Sequence, residues 1–160
     1  MTIAVGDKIP SVELSMMGKD GPEVLSTDEL LGGKKVVLFA LPGAFTPTCS
    51  AAHLPGYVVH GDAIKAKGVD TIACLSVNDA FVMGAWGDAQ NVGDDIMMLA
   101  DGSGNFTEAV GLELDLTARN MGLRSQRYAM VIDDGVVTHL NVEKGAAFEV
   151  SNAETILDLL

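Results

Sequence analysis

The stretch Val36-Val37-Leu38-Phe39-Ala40-Leu41-Pro42-Gly43-Ala44-Phe45-Thr46-Pro47-Thr48-Cys49 reads as a buried strand that stops and a helix that starts. Six consecutive apolar residues, rich in β-branched and aliphatic side chains, suit a strand covered on both faces. Pro42-Gly43 ends it. Thr46 is a natural N-cap, Pro47 fits the first helical position, where its missing N–H costs nothing, and Cys49 follows three residues after the cap. A cysteine in the first turn of a helix lies against unpaired backbone N–H groups and the positive end of the helix, an environment that favours a thiolate. The reading predicts a solvent-reachable, nucleophilic Cys49 with the Thr46 hydroxyl turned toward it.

Working outward, β and α signals alternate. Val12 to Met16 alternates apolar and polar residues ahead of the turn Gly18-Lys19-Asp20-Gly21-Pro22, which predicts an opening hairpin. Ser26-Thr27-Asp28-Glu29 starts a short helix that Gly32-Gly33 ends. One long helix is predicted from Pro47 to about Lys67, kinked at Pro55, with Gly68 as its stop. Val69 to Val77 forms a second buried strand, Asn78-Asp79 caps a helix carrying Phe81 and Trp86, and Ile96 to Ala100 forms a third strand. A short helix from Phe106 to Val110 comes next. Tyr128 to Ile132 and Val136 to Val142 flank Asp133-Asp134-Gly135, a two-strand hairpin signal, and Ser151 to Leu160 closes as an amphipathic helix. The order predicts an α/β chain with one domain over residues 1–160, a three-layer α/β/α sandwich on a mixed sheet with an N-terminal hairpin.

The run from Pro42-Gly43 through Thr46-Pro47-Thr48-Cys49 to His53-Leu54-Pro55-Gly56-Tyr57 resembles the active-site segment of peroxiredoxins, specifically the atypical type II, peroxiredoxin-5-like branch. The likeness extends to Cys74-Leu-Ser-Val-Asn78-Asp79, Ala100-Asp101-Gly-Ser-Gly104, Gly111-Leu-Glu-Leu-Asp115 and Arg124-Ser-Gln-Arg127-Tyr-Ala-Met, and so covers essentially the whole chain. It implies an elaborated thioredoxin fold and a thiol-dependent peroxidase acting on hydrogen peroxide and alkyl hydroperoxides through a Cys49 sulfenic acid. It also implies the site roles: Cys49 as peroxidatic nucleophile, Thr46 as hydrogen-bond partner of thiolate and peroxide, Pro42 as a shield against water, and Arg127 as the nearby positive charge. Arg124, three residues earlier, is a second positive candidate. Members of the branch with a C-terminal resolving cysteine differ from this chain, whose segment Asn141 to Val150 has none. Cys49 and Cys74 are spaced as in glutathione- and glutaredoxin-dependent members, which implies no bound cofactor, an external thiol reductant with thioredoxin second to it, and a homodimer. Cys74, inside an apolar strand, is read as a small core residue.

Composition bounds the alternatives. A formal charge of −12, with only 10 Lys and Arg, disfavours a nucleic-acid or anionic-membrane partner. Residues 1–7 lack the basic start and apolar core of a signal peptide, no stretch reaches the ~20 apolar residues of a membrane span, and two cysteines make no disulfide framework; a cytoplasmic protein is expected. His53, His60 and His139 have no metal-ligand spacing and are read as exposed or hydrogen-bonded. Two other functions use the same cysteine: a peroxide sensor or holdase without turnover, and a thioredoxin-like disulfide oxidoreductase. The second would need another cysteine in the helical turn, where Thr46 stands.

Overall fold

The computed structural model describes residues 1–160. The chain runs β1 (Glu13–Gly18), β2 (Gly21–Ser26), α1 (Thr27–Leu31), β3 (Lys35–Ala40), a π-helical turn (Cys49–His53) continuing into α2 (Leu54–Ala66), β4 (Thr71–Ser76), α3 (Ala80–Ala89), β5 (Met97–Ala100) and α4 (Asn105–Val110). There follow β6 (Glu113–Leu116), β7 (Gly122–Ser125), β8 (Tyr128–Asp133), β9 (Val136–Val142) and α5 (Ala153–Leu159). Seven strands form one sheet in the order β2-β1-β5-β4-β3-β8-β9, with β3, β4 and β5 parallel and the others antiparallel to their neighbours.

Apart from Lys35 at its start, β3 carries no charge, and it lies at the inner positions of this sheet because both its faces are covered. Val37 and Phe39 enter a core shared with Leu54, Tyr57 and Ile64 of α2, Met83 and Trp86 of α3, and Ile156 of α5. Val36, Leu38 and Ala40 enter a second core with Leu30 and Leu31 of α1 and Phe106 and Val110 of α4. Helix, sheet and helix make the three layers of a thioredoxin fold, with the β1–β2 hairpin added at one edge. The turn between β8 and β9 has Asp134 and Gly135 both at positive φ (47° and 79°), the backbone that the Asp-Gly pair accommodates most readily.

Three local expectations are corrected. The helix from Pro47 is not regular: the Leu54 N–H bonds to the Cys49 carbonyl, a wider i to i+5 register. Pro55 explains this, since it lacks the N–H that Ala51 would need in an α-helix and its ring crowds that carbonyl. Thr46 holds the N-cap position expected of it, its carbonyl accepting from the Ser50 N–H at 3.0 Å, but its hydroxyl makes no cap bond and donates to the Gly43 carbonyl at 2.7 Å. Finally, β6 and β7 pair as a separate two-stranded sheet that the sequence reading left unassigned. No helix is long and apolar enough to cross a membrane.

Candidate active site around Cys49

Cys49 stands at the start of the wide turn, and it is buried rather than exposed: the residue is 1% exposed and belongs to the core under α2. The correction follows from the turn, whose register rotates residue 49 inward onto the sheet. Arg127, in the residue before β8, reaches over from the far side and donates from Nη2 to Cys49 Sγ at 3.1 Å. A charge-assisted hydrogen bond in so enclosed a place is stronger than the same contact at the surface.

What holds Arg127 is a chain of residues absent from the sequence-level site. Nη1 lies 2.8 Å from His53 Nδ1, and His53 Nε2 lies 3.1 Å from the Ser151 carbonyl. Because a carbonyl only accepts and a guanidinium only donates, Nε2 carries the proton and Nδ1 accepts from Arg127. Burial, followed by the adjacent Arg127 charge, lowers the His53 pKa to about 3, so the ring is neutral and that lone pair is available. The Tyr57 hydroxyl donates to the same Ser151 carbonyl at 2.7 Å. The Phe148 ring flanks both His53, at 5.0 Å between centroids, and the Arg127 guanidinium, at 5.8 Å.

Glu143 fixes that carbonyl in turn. Its carboxylate accepts from the backbone N–H groups of Glu149, Val150 and Ser151 and from the Ser151 hydroxyl, at 2.6–3.0 Å. Burial alone would raise its pKa; hydrogen bonds from the Ser151 side chain and from the three backbone N–H groups outweigh that and hold it below the ordinary carboxylate value. The backbone adds a further link, as the Glu143 N–H donates to the Arg127 carbonyl at 2.9 Å. His53 and Ser151 are 98 positions apart, so no spacing in the sequence points to this relay.

The loop Pro42-Gly43-Ala44-Phe45-Thr46 leads from β3 to the Cys49 turn. Phe45 lies in the left-handed region at φ 62°, which costs a non-glycine residue on the order of 1 kcal/mol, and its exposed ring sits 6.4 Å from Trp86. Trp86 Nε1 donates to Ser50 Oγ at 3.0 Å, and Gln90 Nε2 donates to the Ser50 carbonyl at 3.3 Å. In the wide register that carbonyl would pair with residue 55, which is proline, so Gln90 supplies the donor the helix cannot.

The structure therefore brings Cys49 and Arg127 into contact and places Pro42 and Thr46 in the loop that leads into the Cys49 turn. Arg124 is not at the sulfur; its Nε donates to the Met121 carbonyl and its Nη1 to the Pro42 carbonyl. Cys74 is fully buried in the middle of β4, paired in register with Phe39 and Met98. Burial, and then the Cys49 charge, hold its thiol well above the usual cysteine pKa. No group of three or more His, Cys, Asp and Glu side chains is placed to hold a metal ion.

The Redoxin family pattern matches residues 4–157. Chloroplastic peroxiredoxin-2E-2 of Oryza sativa subsp. japonica is 52% identical over 164 residues, covering 99% of this chain and 73% of that protein. The crystal structure of reduced Prx3 of Vibrio vulnificus in complex with hydrogen peroxide is 63% identical, with a TM-score of 0.95 and 99% of each chain covered. Peroxiredoxin 5 of Alvinella pompejana is similar at 40% identity and a TM-score of 0.81, over 88% of this chain and 90% of that one.

Proposed function

We propose, for a chain that belongs to the redoxin family and within it to the peroxiredoxins, that an external thiol of the glutathione and glutaredoxin type completes the cycle that Cys49 begins. The chain is a thiol-dependent peroxidase. In the first step the Cys49 thiolate attacks one oxygen of a hydroperoxide, the O–O bond breaks, the sulfur becomes a sulfenic acid, and the other oxygen leaves as hydroxide or alkoxide with the bond's electron pair. Arg127 balances charge on the sulfur and on the departing oxygen. Thr46 orients the peroxide, and Pro42 keeps water from the sulfur.

The second step needs a thiol, and the chain offers only Cys74. The observation that carries the proposal is the setting of that residue: a neutral thiol locked in mid-strand. A disulfide needs Cα atoms within ~7 Å and converging Cβ vectors, and residue 74 is fixed in place by its ladders to β3 and β5. Glutathione instead attacks the sulfenic acid, water leaves, and a mixed disulfide forms on Cys49; a second thiol, delivered by glutaredoxin, takes the glutathione and restores the cysteine. With Cys49 1% exposed, the wide turn must open before that attack.

Two unpaired thiols suit a reducing compartment, and we assign the protein to the cytoplasm on that ground. Exposed Phe45 and Phe81, either side of the Ala44–Asn78 contact, offer apolar area to a second copy in a homodimer, which light scattering would detect. The deciding experiment is steady-state turnover of hydrogen peroxide and an organic hydroperoxide with glutathione plus glutaredoxin, and separately with thioredoxin. Intact mass after one equivalent of peroxide and glutathione should show one glutathione on Cys49. A stoichiometric Cys49–Cys74 disulfide would overturn the proposal.

A further inference from the structure

Two consecutive peptide groups of the Pro42 loop are tied by three side chains rather than by a neighbouring strand. The Pro42 carbonyl accepts from Arg124 Nη1 at 3.3 Å, the Gly43 carbonyl from Thr46 Oγ1 at 2.7 Å, and the Ala44 N–H donates to Asn78 Oδ1 at 3.0 Å. Asn78 is itself oriented by the Ser76 hydroxyl at 2.6 Å. Arg124 comes from β7, outside the main sheet, and its Nε bond to the Met121 carbonyl at 2.9 Å aims the guanidinium across the gap. Gly43 is what lets it arrive: a methyl on that residue would stand 2.9 Å from Arg124 Nη1. The two arginines thus take different partners, Arg127 the sulfur and Arg124 a backbone carbonyl of the Pro42 loop.

We propose that Arg124 is a positioning residue that sets the width of the peroxide pocket by holding the Pro42 carbonyl, and through it the Thr46 hydroxyl, while contributing no charge to the sulfur. This rests on the peroxide-facing roles given above to Pro42 and Thr46. A Pro-Gly loop has no ladder of its own to resist drift, so its distance from Cys49 is as firm as these ties. A small peroxide depends on that distance most, because it has few other contacts; a bulky hydroperoxide tolerates a wider pocket.

The test is reductant-free single-turnover oxidation of the full chain, followed by the fluorescence of Trp86, the only tryptophan, in the parent, Arg124→Gln and Gly43→Ala. The added methyl would stand 2.9 Å from Arg124 Nη1 and 3.2 Å from Thr46 Cγ2, so Gly43→Ala shifts the guanidinium and the Thr46 side chain together and tests the spacing of the loop, and Arg124→Lys takes the place of Arg124→Gln if that variant does not fold. Both variants should slow hydrogen peroxide about 10-fold, short of the ~100-fold that an ångström-scale misplacement can cost. Cumene hydroperoxide should slow less, raising its rate relative to hydrogen peroxide by about 3-fold or more, and the pH profile of Cys49 alkylation should stay that of the parent. An alkylation profile moved to higher pH would make Arg124 a charge on the sulfur and overturn the proposal. Equal slowing of both peroxides, or no slowing, would overturn it as well. Because no reducing thiol is present, failure of the glutathione proposal leaves this result untouched, and a parent that fails to oxidise at Cys49 would indict the peroxide chemistry itself.

Discussion

Cys49 and Cys74 are both buried, both unpaired and both in the core between the sheet and α2, yet their polar surroundings differ, and our proposal gives the chemistry to only one of them. Cys74 has apolar neighbours along β4 and across to β3 and β5, and its burial works against ionisation. Cys49 is as thoroughly enclosed, but a guanidinium nitrogen stands 3.1 Å from its sulfur, and that guanidinium is held from behind by a neutral histidine. Burial alone makes a cysteine inert; burial beside a fixed positive charge makes it a nucleophile shielded from competing water.

The contrast breaks most completely with Cys49→Ser, which should reduce peroxide consumption to background in the coupled assay, since Cys74 cannot substitute. Arg127→Gln comes next: it leaves Cys49 enclosed like Cys74, should slow oxidation by about 10²- to 10³-fold, and should move Cys49 alkylation to higher pH. His53→Gln keeps the charge but removes its rear anchor, for an expected loss of about 10-fold in kcat/KM. The same variant should alter the pH dependence of stability. The unfolded chain protonates His53 near its ordinary value of 6.5 and the folded chain only near 3, so the parent's stability from this group is full above pH 6.5 and falls on acidification toward pH 3. The part lost between pH 6.5 and 5 is about 2 kcal/mol, which denaturant titration at the two pH values should read in the parent and not in His53→Gln. Glu143, held below its ordinary 4.5, extends the acid lability to still lower pH. The smallest effect on activity belongs to Cys74→Ser. Turnover with glutathione and glutaredoxin should stay within about twofold, while a hydroxyl in that apolar site lowers stability by about 1–3 kcal/mol, seen as a lower Tm.

The layered fold was legible because each of its strands and helices announces itself within a dozen residues: the apolar run of β3, the Asp-Gly turn before β9, the Asn-Asp cap of α3. Cys49 and Arg127 were legible through the family resemblance of their segments, not through their spacing of 78 positions. His53, Ser151 and Glu143 were not, since each is an ordinary polar residue until folding stacks the α2 start, β9 and the loop before α5 on one another. Thr46 was legible as the residue that precedes the helix, but not the turn of its hydroxyl to the Gly43 carbonyl, which only the folded Pro42 loop presents. β6 and β7 escaped because four-residue strands, joined through a short 3₁₀ turn, carry too few alternations to stand out.

The wide turn before Pro55 is also a phase shift. A helix that spends one extra residue on a turn is rotated by roughly 100° on one side of it relative to the other, so the face of α2 bearing Tyr57 and Ile64 and the face bearing Cys49 coincide only because of that surplus residue. Deleting one residue from Ser50–Ala52 should therefore leave the sheet intact and swing the cysteine out of line with Arg127. The catalytic geometry is in this sense a counting property of five residues, one that the remainder of α2 neither needs nor repairs.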